Sequence, residues 1–393
     1  MDIVQKMKRD WNRRASHHAK FWIATEDWQT DDAFADSGRE TAERIRRLIG
    51  ANWQPGWRAL EIGCGIGRVM RALAPYVAEI HGVDVSADMI RQSREWLSGV
   101  AHAHTHENSG VDLALFDAAY FDFVYAYVAF QHMPRPVFAA YLRDARRVLR
   151  PGGLIAFQIY LAGPGFVDPD FDDTLTVRLY AREALDRALA ASGFTSVDEV
   201  CEHRTPQGLE SWLVLAAADR EPAASLSDEW RLAECDARVS PMDEALYAGF
   251  ARRSLESGDA RSALGALDEL VRCQPGNIDR RLELAELAVG QGDIARARDV
   301  LRAGTELAPD RLEPWLQWMM LEVHAGQLAN GADVGLAMLW QHPRYVNGYK
   351  GVVTLLCVIG RRHDAAALVD RLRTLESDSS IVADVERALQ PAA

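Results

Sequence analysis

Residues 59–69, ALEIGCGIGRV, carry an apolar run into a carboxylate, Glu61, and then into glycines at 63, 65 and 67. A strand ending in Gly-x-Gly-x-Gly lets backbone amides approach a ligand that any Cβ would hold off. In an open parallel sheet that ligand lies in the crevice beyond the carboxyl ends of the strands. The spacing is GxGxG and lacks the glycine that a dinucleotide-binding GxGxxG requires. An acid just ahead of the first glycine also suits a ligand with a positive amino group better than a pyrophosphate. Farther on, His102, His104 and His106 alternate along VAHAHTH, and three imidazoles on one strand face invite a metal reading. No cysteine or carboxylate partner set accompanies them in the sequence, so no bound metal is expected. Cys64, inside the glycine turn, reads as a small buried filler, and no Ser, Cys or His triad motif is present.

Two grammars position these groups. The first half alternates short apolar runs with amphipathic stretches of helix length, the pattern of an α/β sheet. Strands are expected at 57–62, 79–85, 100–106, 121–128, 153–160, 196–202 and 212–218. The stretch RPVFAAYLRDARRVLR (135–150) reads as a helix stopped by the PGG at 151–153. EHRTPQGLES turns the chain back with no intervening helix, so the last strand should run antiparallel in an otherwise mostly parallel, Rossmann-like sheet. From about residue 240 only helices are expected, and a repeat begins. Prolines at 241, 275, 309 and 343 and glycines at 258, 292, 326 and 360 share a period of 34 residues. That offset matches the tetratricopeptide pattern of helix, glycine turn, helix and proline. Tyr247, Trp315 and Tyr349 fill the early bulky position, from which Arg281 departs; Ala263, Ala297 and Ala365, with Gly331, fill the small one. SSIVADVERALQ would form the helix that caps such an array. The expected organisation is a helical segment at 1–37, the sheet domain at 38–218, a linker at 219–240 and the helical repeats at 241–393.

A chain of 393 residues exceeds the usual size of one hydrophobic core, and 48% apolar with 26% charged residues is ordinary for a soluble protein. No run has the roughly 18–20 apolar residues of a membrane span. The basic N-terminus has no apolar region after it, so no signal peptide is expected. Five scattered cysteines outline no disulfide framework and favour a reducing cytoplasm. A net charge of −13 argues against a nucleic-acid surface, which needs a basic footprint.

LEIGCGIGR, HGVDVSADMI, FDFVYAYVAFQHMP and ARRVLRPGGLIAFQ, in that order and spacing, resemble the class I S-adenosylmethionine-dependent methyltransferases. The resemblance covers roughly residues 38–218. It implies that Gly63 and Gly65 lie against the methionine part of the cofactor, with Glu61 near its ammonium group. It makes Asp84 the acceptor for both ribose hydroxyls, a task that suits a carboxylate because two oxygens can serve a vicinal diol. Val85 and Met89 would pack near the adenine. Where the family often carries Asp–Ala, this chain has ENSG, so Asn108 and Ser109 are placed at the adenine edge, with an ordinary turn as the alternative. Tyr127 and Val128 would border the sulfonium. His132 is the candidate general base, or else a pocket-shaping residue, and Tyr127 and Tyr160 are lesser polar candidates. In many relatives an N-terminal segment caps the site. Here Trp11, Arg14, His18, Phe21 and Trp22 could line such a lid, Arg14 pairing with an acidic acceptor, or could simply pack on the sheet edge.

The resemblance implies methyl transfer, with O-methylation slightly favoured because a histidine would help deprotonate a hydroxyl. Two readings of the repeats stay open: they hold a peptide or protein acceptor, or they dock a small-molecule methyltransferase onto a partner or a second copy. A cofactor-binding adaptor without turnover is the third. Arg252, Arg253, Arg280, Glu283, Trp315 and Trp318 would contribute to a groove of mixed charge and aromatic character.

Overall fold

Apolar side chains on both faces of nearly every strand put the sheet in the interior. The strands are β1 (Arg58–Ile62), β2 (Glu79–Asp84), β3 (Ala103–Glu107), β4 (Phe121–Ala126), β5 (Leu149–Leu161), β6 (Leu179–Tyr180), β7 (Thr195–Arg204) and β8 (Glu210–Ala217). They are flanked by helices α1 (Ile3–Ile23), α2 (Asp31–Ile49), α3 (Arg68–Leu73), α4 (Ala87–Trp96), α5 (Arg135–Val148) and α6 (Arg182–Ala191). In β5, Ile155, Phe157 and Ile159 face the layer that holds α5 and α6, while Leu154 and Ala156 face the layer of α2, α3 and α4. This computed structural model describes residues 3–25, 27–162, 174–204, 209–223, 241–376 and 379–389. The chain divides into two compact units, Met1–Asp243 and Glu244–Ala393.

The strand order is β3-β2-β1-β4-β5-β8-β7, with β6 beside β5. Neighbours pair in parallel except at β8, which runs antiparallel to both β5 and β7, as the turn-back in the sequence requires. The crossover connections leave the carboxyl end of β1 between those of β2 and β4, and there the glycine turn begins.

Three local expectations change. α5 ends at Val148 and β5 starts at Leu149, so the PGG lies inside a strand, with a register shift opposite Phe121–Phe123 and Gly152 at φ 73°. Position 38 falls in the middle of α2 rather than at an edge. Gly38 is small because a Cβ there would come within 2.5 Å of the Arg68 carbonyl oxygen. His102 precedes β3, and its Nε2 lies 2.9 Å from the Ala74 carbonyl, so it does not share a face with His104 and His106. Part of the linker expected at 219–240, from 224 onward, lies outside the described residues.

In the second unit, helices follow in pairs: α7 (Pro241–Glu256) and α8 (Ala260–Cys273), α9 (Ile278–Gly290) and α10 (Ile294–Leu307), α11 (Leu312–His324) and α12 (Leu328–Gln341), α13 (Val346–Val358) and α14 (Arg362–Leu375). A last helix, α15 (Ser379–Arg387), packs on α13 and α14. Ala263, Ala297 and Ala365 are fully buried, and a Cβ on Gly331 would meet Val323 at 2.9 Å, which is why the position stays small. Arg281 keeps the job of the aromatic it replaces. Its Nε donates to the Pro275 carbonyl at 3.1 Å, as Trp315 Nε1 does to Pro309 and the Tyr349 hydroxyl does to Pro343. Among the described residues no helix is long and apolar enough to cross a membrane.

Candidate functional site

The turn after β1 is built on left-handed glycines. Gly63, Gly65 and Gly67 have φ of 72°, 52° and 84°. A Cβ on Gly63 would lie 2.6 Å from the Ala129 Cβ, and one on Gly65 would lie 2.6 Å from Ile23 Cδ1. Backbone conformation and space both demand glycine there. The turn is tied down because the backbone amides of Gly63 and Cys64 donate to the Val83 carbonyl, at 2.9 and 3.0 Å. It opens onto a pocket with about 780 Å³ of unfilled space, counted out to open solvent. Glu61, Asp84, Met89, Tyr127, His132 and Tyr141 are among its lining residues.

Strand register places the two carboxylates. Glu61 sits beside Tyr125 in the β1–β4 ladder, and the Tyr125 hydroxyl donates to Glu61 Oε2 at 3.0 Å. Burial pushes the Glu61 carboxyl up to about 8, against the pull of the Tyr125 hydroxyl and the Arg68 guanidinium. Asp84 ends β2, and its two oxygens accept the backbone N–H groups of Ser86 and Gly65, each at 2.9 Å. Burial raises Asp84 to about 6 in spite of these donors. Ser86 caps α4 by accepting from the Met89 amide, which brings Met89 against the pocket.

After β4 the chain turns through Val128 at φ 55°, a left-handed conformation that a β-branched residue holds only at a cost on the order of 1–3 kcal/mol. The turn sets Ala129 over Gly63 and brings His132 to the wall. The His132 Nδ1 lies 2.6 Å from the Leu175 carbonyl, which can only accept, so Nδ1 carries the proton. Nε2 then presents its lone pair to the Gln131 side-chain amide at 3.1 Å.

α1 closes the pocket from above with Met7, Trp11, Trp22 and Ile23. It is held by a ladder of charge one helical turn apart: Lys6, Asp10 and Arg14 are all at most 1% exposed. Lys6 donates to Asp10 at 3.0 Å, Thr174 donates to Asp10 at 3.0 Å, and Arg14 donates to the Thr174 hydroxyl at 3.2 Å. Burial alone would raise Asp10, but Lys6, Arg14 and Arg9 together take it below the usual carboxylate range. Thr174 adjoins Leu175, so the ladder runs from α1 to the carbonyl that orients His132.

A model of the methyltransferase domain family matches residues 59–153, the span that holds the glycine turn, both carboxylates and His132. A tetratricopeptide-repeat model matches residues 254–317. Over 213 residues the chain is 30% identical to a malonyl-(acyl-carrier protein) O-methyltransferase of Geobacter sulfurreducens, covering 49% of this chain and 78% of that one. The chain belongs to the S-adenosylmethionine-dependent methyltransferases. It is also 27% identical over 178 residues to phosphoethanolamine N-methyltransferase 1 of Arabidopsis thaliana, covering 44% of this chain and 35% of that one. Among solved structures, magnesium protoporphyrin IX methyltransferase of Synechocystis with bound S-adenosylmethionine is similar over 55% of this chain and 97% of that one, at 15% identity and a TM-score of 0.42. The chain spans 38% of an uncharacterized Streptomyces fradiae transposon protein that it matches and 35% of the plant enzyme, little over a third of either.

The cofactor of this methyltransferase is S-adenosylmethionine, and the pocket fits it on its own chemistry. A buried acid, Glu61, and a carboxylate with two accepting oxygens, Asp84, both line the pocket beside the glycine turn, where a Cβ on Gly63 would strike Ala129. Glu61, Gly63, Gly65, Asp84, Val85, Met89, Tyr127, Val128 and His132 all line it, as do Trp11 and Trp22. Other expected residues lie elsewhere. Asn108 is buried with its amide on the Asp112 carbonyl and the Tyr141 hydroxyl, and Ser109 accepts from the amides of Val111 and Asp112; both serve the turn. Arg14 spends its guanidinium on Thr174 and on the Trp11 ring, 4.7 Å away, and so does not face an acceptor. His18 packs on Trp28 at a kink in α1, Phe21 is fully buried, and Tyr160 lies along β5 away from the pocket lining. Sequence reasoning missed Tyr141, Arg68 and the Arg44–Glu202 pair that brackets the Tyr127 hydroxyl at 3.2 and 3.1 Å. Burial, with the Glu202 carboxylate beside it, pushes the Tyr127 hydroxyl up to about 12. Tyr141, Arg44 and Glu202 come from distant elements and carry no local motif, whereas Arg68 closes the glycine motif itself and its role shows only once Glu61 is seen beside it.

Proposed function

We propose that the chain transfers a methyl group from S-adenosylmethionine to a nucleophilic atom, a hydroxyl oxygen in preference, on a peptide, protein or natural-product acceptor that enters beneath α1. The convergence of Glu61, the Gly63–Gly65 turn and Asp84 on one pocket walled by Tyr127 and His132 carries this reading. When bound, S-adenosylmethionine supplies a methyl carbon made electrophilic by its sulfonium. Glu61 would hold the ammonium group, Asp84 the ribose diol, and Val85 and Met89 the flat base. The remaining work is alignment and proton removal. His132 is poised for the second task, because its Nδ1–H is anchored on Leu175 and only Nε2 can take a proton. To take it, Nε2 must release the Gln131 amide, so Gln131 moves as the acceptor hydroxyl arrives. A neutral amine would make less use of such a base.

In the repeat unit, Trp315 and Trp318 stack with ring centroids 6.4 Å apart beside Arg302 and Asp333, a surface suited to a peptide with aromatic or charged side chains. The repeats hold the acceptor or a protein partner there. A small acceptor, with the repeats serving docking or self-association, is favoured instead by the tryptophan roof of the pocket. Cofactor carrying a labelled methyl group, added with the enzyme to a bacterial cell extract and with Asp84→Ala as control, tests the reading. Label in peptides or proteins, lost on removal of residues 241–393, supports the first role of the repeats; label in small molecules supports the second. Intact cofactor binding with no label in any fraction overturns methyl transfer in favour of an adaptor.

A further inference from the structure

Five residues upstream of Asp84, at the opposite end of β2, lies a second cluster of side chains that the methyl-transfer reading does not use. Glu79 and His81 alternate along β2 and so share one face. The parallel ladder sets His104 opposite His81 and His106 opposite Val83, which brings both imidazoles to the same side. Glu79 Oε1 is 3.0 Å from His81 Nε2 and 3.9 Å from His104 Nε2, and the three ligand-capable atoms all lie within 4.8 Å of one another. His81 is buried, at 8% exposure, and its Nε2 makes no hydrogen bond although the carboxylate is so near. The other nitrogen, Nδ1, lies 3.1 Å from His106 Nε2. With the proton of that contact on Nδ1, Nε2 turns its lone pair toward the Glu79 carboxylate, and both can serve one cation. The Tyr120 hydroxyl donates to the other oxygen of Glu79 at 3.1 Å, fixing the orientation of the carboxylate.

We propose that Glu79, His81 and His104 bind a zinc-class divalent cation, with His106 and Tyr120 orienting two of the three ligands and the fourth position open to water. Zinc–nitrogen and zinc–oxygen bonds of about 2.0–2.2 Å at tetrahedral angles set ligand atoms roughly 3.4 Å apart, and the two Glu79 distances bracket that value. Two imidazoles and one carboxylate suit zinc, cobalt or nickel, whereas calcium and magnesium call for oxygen. A hydrogen-bonded partner on the far nitrogen of a ligating histidine is what fixes its tautomer in such sites. Phe116, Tyr120 and Phe121 meet the His81 ring edge-on and shield the inner side, while His104 stays at the exposed rim and gives an ion its entry. The ion would cross-link β2 to β3, which among the described residues is the edge strand of the sheet. Five residues at about 3.3 Å each separate the site from Asp84, so it acts on the sheet edge and not in the methyl-transfer pocket.

The test uses the full chain, freed of any purification tag and treated with chelator, and titrates it with Zn²⁺ and separately with Co²⁺. One equivalent should bind, the cobalt form should show the visible absorption of a four-coordinate site, and Zn²⁺ should raise the unfolding temperature. His104→Ala, at the solvent-exposed rim, and Glu79→Gln should each weaken Zn²⁺ by about a hundredfold or more, and Tyr120→Phe by about tenfold. Each variant should keep the wild-type affinity for S-adenosylhomocysteine, which shows that it is folded. No zinc or cobalt binding by the wild-type chain, or binding that survives both ligand substitutions unchanged, overturns the site.

Discussion

Glycine does two different jobs in the two units. Gly258, Gly292, Gly326 and Gly360 in the repeats have φ between 74° and 82°, and a Cβ on any of them would meet nothing within 4 Å. Gly63 and Gly65 beside the pocket have φ in the same left-handed region, but there a Cβ would strike a neighbour at 2.6 Å. The repeat glycines are retained for backbone conformation alone, and those of the cradle for conformation and space together. The two demands separate experimentally, because asparagine tolerates the left-handed region yet has a Cβ.

The largest effect is expected at Gly63. Alanine there adds roughly 1–2 kcal/mol of left-handed strain and about 1–3 kcal/mol of overpacking against Ala129. Relief of that contact would move the floor of the pocket, so affinity for S-adenosylhomocysteine should fall by about a hundredfold in a calorimetric titration. Asparagine should fare no better than alanine. If Gly63→Asn restores binding, conformation alone matters in the cradle and the contrast between the units collapses.

The pocket acids Glu61 and Asp84 differ from two acids of the repeats. Burial raises Glu61 to about 8 and Asp84 to about 6, whereas in the repeats a backbone N–H with Arg311 takes Glu313, and the Arg298 guanidinium takes Glu322, below the ordinary range. A ligand ammonium and a ribose diol both favour ionised carboxylates, so ligand binding should release protons. Affinity for S-adenosylhomocysteine should therefore be level above pH 8 and fall by up to about tenfold per unit below it as Glu61 protonates. The fall should steepen below pH 6, where Asp84 joins. For stability the signs oppose each other. Glu61 and Asp84, raised in the folded state, favour unfolding progressively as pH climbs from the ordinary carboxylate range toward 6 for Asp84 and 8 for Glu61, and lowered groups such as Glu322 stabilise above their unfolded values and lose that contribution in acid. Calorimetry from pH 8.5 to 5 with Glu61→Gln alongside decides the binding half: the substitution should flatten the upper limb, and a wild-type profile already flat there would remove Glu61 from the ligand's ammonium.

What the sequence made legible follows from how local each demand is. The glycine turn, Asp84 at a strand end and the period of 34 are written in residue types at fixed spacings, and the structure has the turn, the strand end and the helix pairs at those positions. Even Arg281, a departure from the repeat, is explained by one hydrogen bond six residues back. The N-terminal helix was opaque for the opposite reason. Arg14 could be read as a lid residue, but the buried ladder of Lys6, Asp10 and Arg14 shows only when Thr174, 164 residues from Asp10, comes to sit against it. Tyr127 showed its place on the wall but not its partners, since Arg44 and Glu202 arrive from α2 and β7. His104 looked short of a carboxylate because Glu79 stands on the neighbouring strand.

The smallest effect, and the cleanest check on the comparison, lies at Gly292. It follows α9, its amide donates to the Val289 carbonyl at 2.9 Å, and the next residue, Asp293, caps α10 by accepting from the Arg296 amide at 3.1 Å. With open space around its Cβ position, alanine should cost only the left-handed strain, roughly 1 kcal/mol, which in a unit of this size lowers the unfolding temperature by about 2–4 °C. Asparagine, which bonds its own backbone in this conformation, should cost a few tenths of a kcal/mol. Thermal unfolding followed by circular dichroism resolves that order. Equal losses for alanine and asparagine at 292 would mean that a neighbour closes on the turn, and the repeat glycines would then belong with those of the cradle. Near-recovery by asparagine at 292, set against none at 63, would show one residue type held in two places by different physics.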